Sequence, residues 1–93
     1  MLTGIENHDY NEVLSYYNSA IRYYEQAKNT EDYTTKTRME CFRRYQEDSK
    51  VYNKLFFMFS TKYPKNNSLP PAIDIFKGSA EIGQEAFYLN WFE

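Results

Sequence analysis

Apolar side chains recur every three or four positions through the first third of the chain: Tyr10, Val13, Leu14, Tyr17, Ala20, Ile21, Tyr24 and Ala27. At about 100° per residue these steps gather on one side of a helix. The opposite arc holds Asn11, Glu12, Ser15, Asn18, Ser19, Arg22, Glu25 and Gln26, with no apolar member. The spacing predicts an amphipathic helix over about residues 9–28, capped by Asn7 or Asp9. Tyr16 and Tyr23 lie at the edge of its apolar stripe. Asn29-Thr30-Glu31-Asp32 reads as a tight turn, with Asn29 or Thr30 as the next cap. Glu31 and Asp32 then face the positive end of a second helix.

That second helix is predicted over about residues 31–63. Phe42, Tyr45, Ser49, Tyr52, Phe56, Phe59 and Tyr63 step by three and four without a fault, no Gly or Pro interrupts them, and Pro64 follows. The residue before a proline is pushed out of helical geometry, so the helix ends there. A tight turn makes the two helices antiparallel neighbours and pairs positions whose numbers sum to about 61. Tyr24 then meets Thr37, Tyr17 meets Arg44 or Tyr45, and Tyr10 meets Val51. In this register the second helix overhangs the first beyond Asn53. The overhang carries Leu55-Phe56-Phe57-Met58-Phe59, apolar nearly all round, which needs cover from the C-terminal third or from another protomer. A short Phe-rich run also suits a strand, but the unbroken phase through it favours helix.

Residues 64–71 have turn composition and no periodicity, so they are predicted as a loop. Pro70-Pro71 opens a short helix over 72–77, stopped by Gly78. Ser79 caps a last helix from Ala80 to about Phe92. Its exposed alternative is unstable at this length, so it docks, with Trp91, on the Leu55–Phe59 run. The expected fold class is all-α: a single domain, 1–93, built as an antiparallel helical hairpin closed by a C-terminal helical segment.

Ten tyrosines and seven phenylalanines in 93 residues supply much of the core, since each ring buries a large area. A chain this short still buries only about 60–65% of its extended surface. Self-association is the usual remedy, so a homodimer is expected, through Leu55, Phe56, Met58, Phe59 and Trp91. Cys41 stands alone, which suits a small apolar residue in a reducing compartment. No secretory signal is expected from Met1–Asp9 and no membrane span from any apolar run, which together imply a cytoplasmic protein. The sequon Asn66-Asn67-Ser68 then has no role. Frequent Phe, Tyr, Ile, Asn and Lys point to an AT-rich source, such as a bacterium, a phage or a plasmid.

The net charge of −2 hides a sorting. Residues 1–35 hold two basic and six acidic side chains, 36–65 hold eight and three, and 66–93 hold one and four. Lys36, Arg43 and Lys50 are spaced by seven, with Lys54 next, so they form one exposed stripe. Such a stripe is solvated, or it meets an acidic protein surface or phosphates. The acidic balance and the lack of a helix-turn-helix pattern weigh against nucleic acid.

Catalytic chemistry is not signalled. His8 is the single histidine, its acidic neighbours do not converge as metal ligands, and no glycine-rich phosphate loop is present. Glu81 and Glu85 read as a wet face. Ala20, Tyr24 and Ala27 have the spacing of a tetratricopeptide-repeat helix, but recurrence at about 34 residues is missing, so the family is not assigned. The expectation is a non-enzymatic protein-interaction module without cofactor or metal, an adaptor or a phage-encoded inhibitor of a host protein. Its expected partner-binding residues are Tyr16, Tyr23, Phe57, Lys36, Arg43, Lys50 and Lys54. A small-ligand or nucleotide sequestering protein, using Tyr stacking beside Lys or Arg, is the alternative.

Overall fold

A computed structural model describes residues 4–28 and 35–88, with side chains at 4–28 and 39–82. It is all-α: α1 spans Gly4–Lys28, α2 spans Thr35–Lys62 and α3 spans Ile75–Tyr88. The turn expected at 29–32, the side chain of Lys36, and the end of the last helix with Trp91 and Phe92 lie outside the described residues.

The tyrosine stripe of α1 forms the seam with α2. Tyr10 meets Phe59 at 6.2 Å between ring centroids, Tyr17 meets Tyr52 at 5.2 Å, and Tyr24 meets Tyr45 at 5.4 Å, each pair tilted. Tilted rings set the positive edge of one against the negative face of the other. Ala20 and Ala27, fully buried, let the helix backbones come close beside these rungs. The three pairs sum to 69, not to the expected 61 or so. The register is displaced by about one heptad, and α1 begins five residues earlier than expected. The predicted overhang therefore does not exist. Phe59 lies under Tyr10 and is buried, and Leu55 to Phe59 is helical.

Asp9 is an interior residue of α1, not its cap. Its carboxylate accepts from Lys62 Nζ at 3.0 Å and from the Tyr63 hydroxyl at 2.8 Å, fastening the start of α1 to the end of α2. Farther along, the Ser19 hydroxyl donates to Asp48 at 2.6 Å, and Cys41 Sγ lies 3.6 Å from the Gln26 side-chain oxygen.

Pro64 starts a turn in which the Asn66 N–H returns to the Tyr63 carbonyl at 3.0 Å. Proline presets the second position of such a turn. Asn66 completes it, accepting the Ser68 N–H at 3.0 Å and donating to Glu6 at 2.8 Å. The chain then runs extended along the hairpin. Leu69 is buried with Val13, Tyr52 and Phe59. The Tyr52 hydroxyl donates to the Pro70 carbonyl. The Asn53 amide grips Ile73 twice, donating to its carbonyl at 2.9 Å and accepting its N–H at 2.7 Å.

The C-terminal helix departs from expectation in three ways. Asp74, not Ser79, caps it, accepting the Lys77 N–H at 3.0 Å. The helix runs through Gly78 without stopping. It docks over the other half of the hairpin, where Ile82 is buried with Ala20, Ala27, Cys41 and Tyr45. Gly78 is present for clearance: a Cβ there would fall on the Tyr45 hydroxyl and lie 2.7 Å from its Cζ. Glu81, expected on a wet face, accepts a hydrogen bond from the Tyr24 hydroxyl. Lys28 Nζ in turn donates to that hydroxyl at 3.2 Å.

Ser49 is fully buried, and its hydroxyl has Tyr45 beside it but makes no well-formed hydrogen bond. An orphaned buried hydroxyl costs about 1–3 kcal/mol, and Ala is the better helix former. Ser49→Ala is therefore expected to raise stability by about 1 kcal/mol, or roughly 4–8 °C in Tm. A lower melting temperature for that variant would contradict this account of the site.

Candidate interaction groove

Among the described residues, the C-terminal segment covers one side of the hairpin and not the other. Asn53 and Gln46, seven residues apart on α2, hold it, Gln46 by donating to Ser79 at 3.3 Å. Around α2 from these lies a second stripe, Asp48, Val51, Leu55, Met58 and Lys62, at steps of three and four. Its C-terminal half forms a groove of about 500 Å³ with the start of α1. Val13 and Phe59 belong to its lining and to the core. Leu55, Phe57 and Met58 form apolar walls, and Asp9, Glu12, Thr61, Lys62 and Tyr63 supply the polar rim.

The rim is electrostatically set. Hydrogen bonds from Tyr63 and then Lys62 hold the Asp9 carboxyl below the usual range. The same carboxylate holds the Lys62 ammonium in its charged form more firmly. The ammonium also lies 5.3 Å from the Tyr63 ring centroid. This end is thus fixed in place, while the apolar walls remain open. Phe57 is 72% exposed and Met58 54%. Phe76 on α3 is more exposed still.

The expected site residues divide. Phe57, Met58 and half-buried Leu55 share the groove. Phe59 also lines it, but its burial under α1 removes it as a free contact surface. Phe56 packs on Tyr52 at 5.9 Å within the chain. Tyr16 is half-buried and packs on the cluster of Val13, Tyr52 and Phe59. Two guanidinium groups lie near the Tyr23 ring, Arg22 at 5.4 Å and Arg44 at 5.7 Å from its centroid. The ring is already engaged as a cation acceptor within the chain.

The basic stripe runs along the back of α2 and reaches the groove only at its end, where Lys54 stands three residues before Phe57 and four before Met58. Lys50 is nine residues before Phe59 and Arg43 nine before Tyr52, about half a turn around the helix from the core. Arg43 is paired with Glu47 at 2.8 Å and Glu40 at 3.9 Å, all well exposed. Such pairs contribute only about 0.3–0.5 kcal/mol. Lys50 and Lys54 are exposed.

Arg44 is the contact that the stripe reading missed. Beside the Tyr23 ring, and bonded to Glu40 at 3.4 Å, its guanidinium is held more firmly charged, Tyr23 being the larger cause. It lies off the seven-residue spacing and becomes legible as Tyr23's neighbour only in the observed register. Burial pushes the Cys41 thiol up, away from reactivity. Among the described residues no group of three or more metal-capable side chains occurs, and no helix is long and apolar enough to cross a membrane. Set against protein-family models, curated proteins and solved structures, the chain matches none of them.

Proposed function

We propose that this chain is a non-enzymatic protein-interaction module that docks through the groove between the start of α1 and the end of α2. The observation that carries this is the pairing of highly exposed Phe57 and Met58 over an apolar floor. Aromatic residues and Met are enriched in interface cores, and Met adapts its shape to a partner. The polar rim of Asp9, Glu12 and Lys62 supplies the hydrogen-bonding margin that interfaces carry. Small size and AT-rich composition favour the finer reading, an adaptor or inhibitor from a phage or mobile element acting in the host cytoplasm.

A groove of about 500 Å³ also lies within the size range of small-ligand sites, about 300–1,000 Å³. That keeps ligand sequestration as the second reading. Thermal stabilisation by members of a small-molecule library is expected under the second reading and not under the first.

The test uses immobilised full-length chain exposed to lysate of its source cells. A partner retained by the wild type is expected to fall at least about tenfold with Met58→Glu, the loss from placing a charge in an interface core. Lys77→Glu, exposed on α3 and outside the groove, is expected to retain it. Equal retention by folded Met58→Glu would rule out the groove as the docking surface.

A further inference from the structure

We propose that the partner filling this face is a second copy of the chain, seated antiparallel, α2 against α2, about a two-fold axis at Leu55. This rests on the reading of the groove as a protein-docking surface and specifies the occupant of its Leu55 and Met58 wall, with Phe57, about 100° round the helix from Met58, at the margin. The argument is self-complementarity. The stripe reads Asp48, Val51, Leu55, Met58, Lys62, within an arc of about 80° on the helix. Asp48 lies seven residues before Leu55 and Lys62 seven after it. Reversing the stripe about Leu55 therefore sets each Asp48 against Lys62 of the copy, and Val51 within one residue of Met58. The ends carry opposite charge and the middle is apolar. A two-fold interface requires this property, since one patch must fit itself.

The side chains are available for it. Val51 is 38% exposed and Met58 54%, and the Lys62 side chain is 60% exposed. Lys62 has three donor hydrogens, of which the Asp9 bond takes one. Asp48 receives Ser19 on Oδ2, which holds its carboxylate on this side of the hairpin. The opposite side is occupied by the chain's own segment through Asn53 and Gln46, so the copy does not compete with it. A two-fold axis at right angles to the helices also brings α1 beside α1 of the copy. The result is four helices around a common centre, the arrangement that buries two such faces together. Tyr16 then lies about 3 Å along the axis from the level of Leu55, and its ring becomes part of the shared centre.

Sedimentation of the full chain at micromolar to submillimolar concentration is expected to give twice the 11.2 kDa chain mass. Met58→Glu is expected to give the chain mass alone with unchanged helical circular dichroism. Raising salt is expected to weaken the dimer about two- to tenfold through the two screened Asp48–Lys62 pairs. A short bis-maleimide is expected to join Leu55→Cys chains into dimers and to leave Lys50→Cys and the wild type, with buried Cys41, at background. A dimer indifferent to Met58→Glu, or joined as well through Lys50→Cys as through Leu55→Cys, overturns the proposal. A monomer throughout whose retention of a cellular protein is lost with Met58→Glu overturns self-pairing and leaves the docking surface standing. A monomer without such retention overturns both.

Discussion

Tyr52→Ala is expected to cost about 3–5 kcal/mol, the range for truncating a buried aromatic. A chain of this length has only about 5–14 kcal/mol in total, at roughly 0.05–0.15 per residue. The variant should therefore sit at the edge of unfolding at room temperature, read as a collapsed urea midpoint. The effect is large because Tyr52 belongs to two structures at once. Its fully buried ring is the middle rung against Tyr17 and also packs on Phe56, while its hydroxyl holds the Pro70 carbonyl. Tyr52→Phe separates the parts: it keeps the ring and strands the carbonyl, for about 1–3 kcal/mol. Burial also pushes the Tyr52 phenol up to about 12, against about 10 in an unfolded chain. In alkali the unfolded state loses this proton first, so stability falls as pH rises from about 10 to about 12. Tyr52→Phe should remove that part of the decline. A variant with the wild-type alkaline slope would show that another group causes it.

Gly78→Leu is expected to detach α3 from the hairpin, and even Gly78→Ala should destabilise. In an exposed helix, Gly to Ala gains up to about 1 kcal/mol, so the usual expectation has the opposite sign. Here the new methyl meets the ring of Tyr45, which is buried and cannot swing into solvent. Overpacking of this kind costs about 1–3 kcal/mol, which exceeds the helix gain. Tyr45→Phe removes the hydroxyl that Cβ would strike, so the double variant should lose less than the two single losses added together. Urea denaturation of the four chains measures the coupling. A stabilised Gly78→Ala would mean that Tyr45 gives way and that the close approach has no energetic weight.

The hairpin was legible because its signal is local and repeated. Tyr10, Tyr17 and Tyr24 declare a face by spacing alone, as do Tyr45, Tyr52 and Phe59. The register was not legible from the same residues. Apolar positions recurring every seven satisfy a pairing near 61 nearly as well as one at 69, and choosing between them depends on partners far away in sequence. Asp9 with Lys62 and Tyr63, and Asn66 with Glu6, are such partners. Gly78 shows the same limit. A glycine before a serine reads locally as a stop and a cap. Its reason here is a ring about thirty residues earlier, which no local pattern discloses, and with the stop misplaced Asp74 was passed over as the cap. At the groove, Phe57 and Met58 were recognisable as apolar residues in excess. Phe59 could not be told from them until α1 was laid over it.

The seven-residue rungs have a consequence for how the chain reaches this state. Sliding α1 by two helical turns sets Tyr10 on Tyr52 and Tyr17 on Tyr45, conserving two aromatic pairs of three. Such a misaligned hairpin satisfies local helix preference as well as the native one and satisfies the apolar pattern nearly as well. It has no bond from Asp9 to Lys62, and it strips α1 from Phe59. It also breaks up the surface on which Leu69 closes and over which Asn53 grips Ile73. The residues after Pro64 therefore add their contacts to one alignment of the two long helices and none to the other.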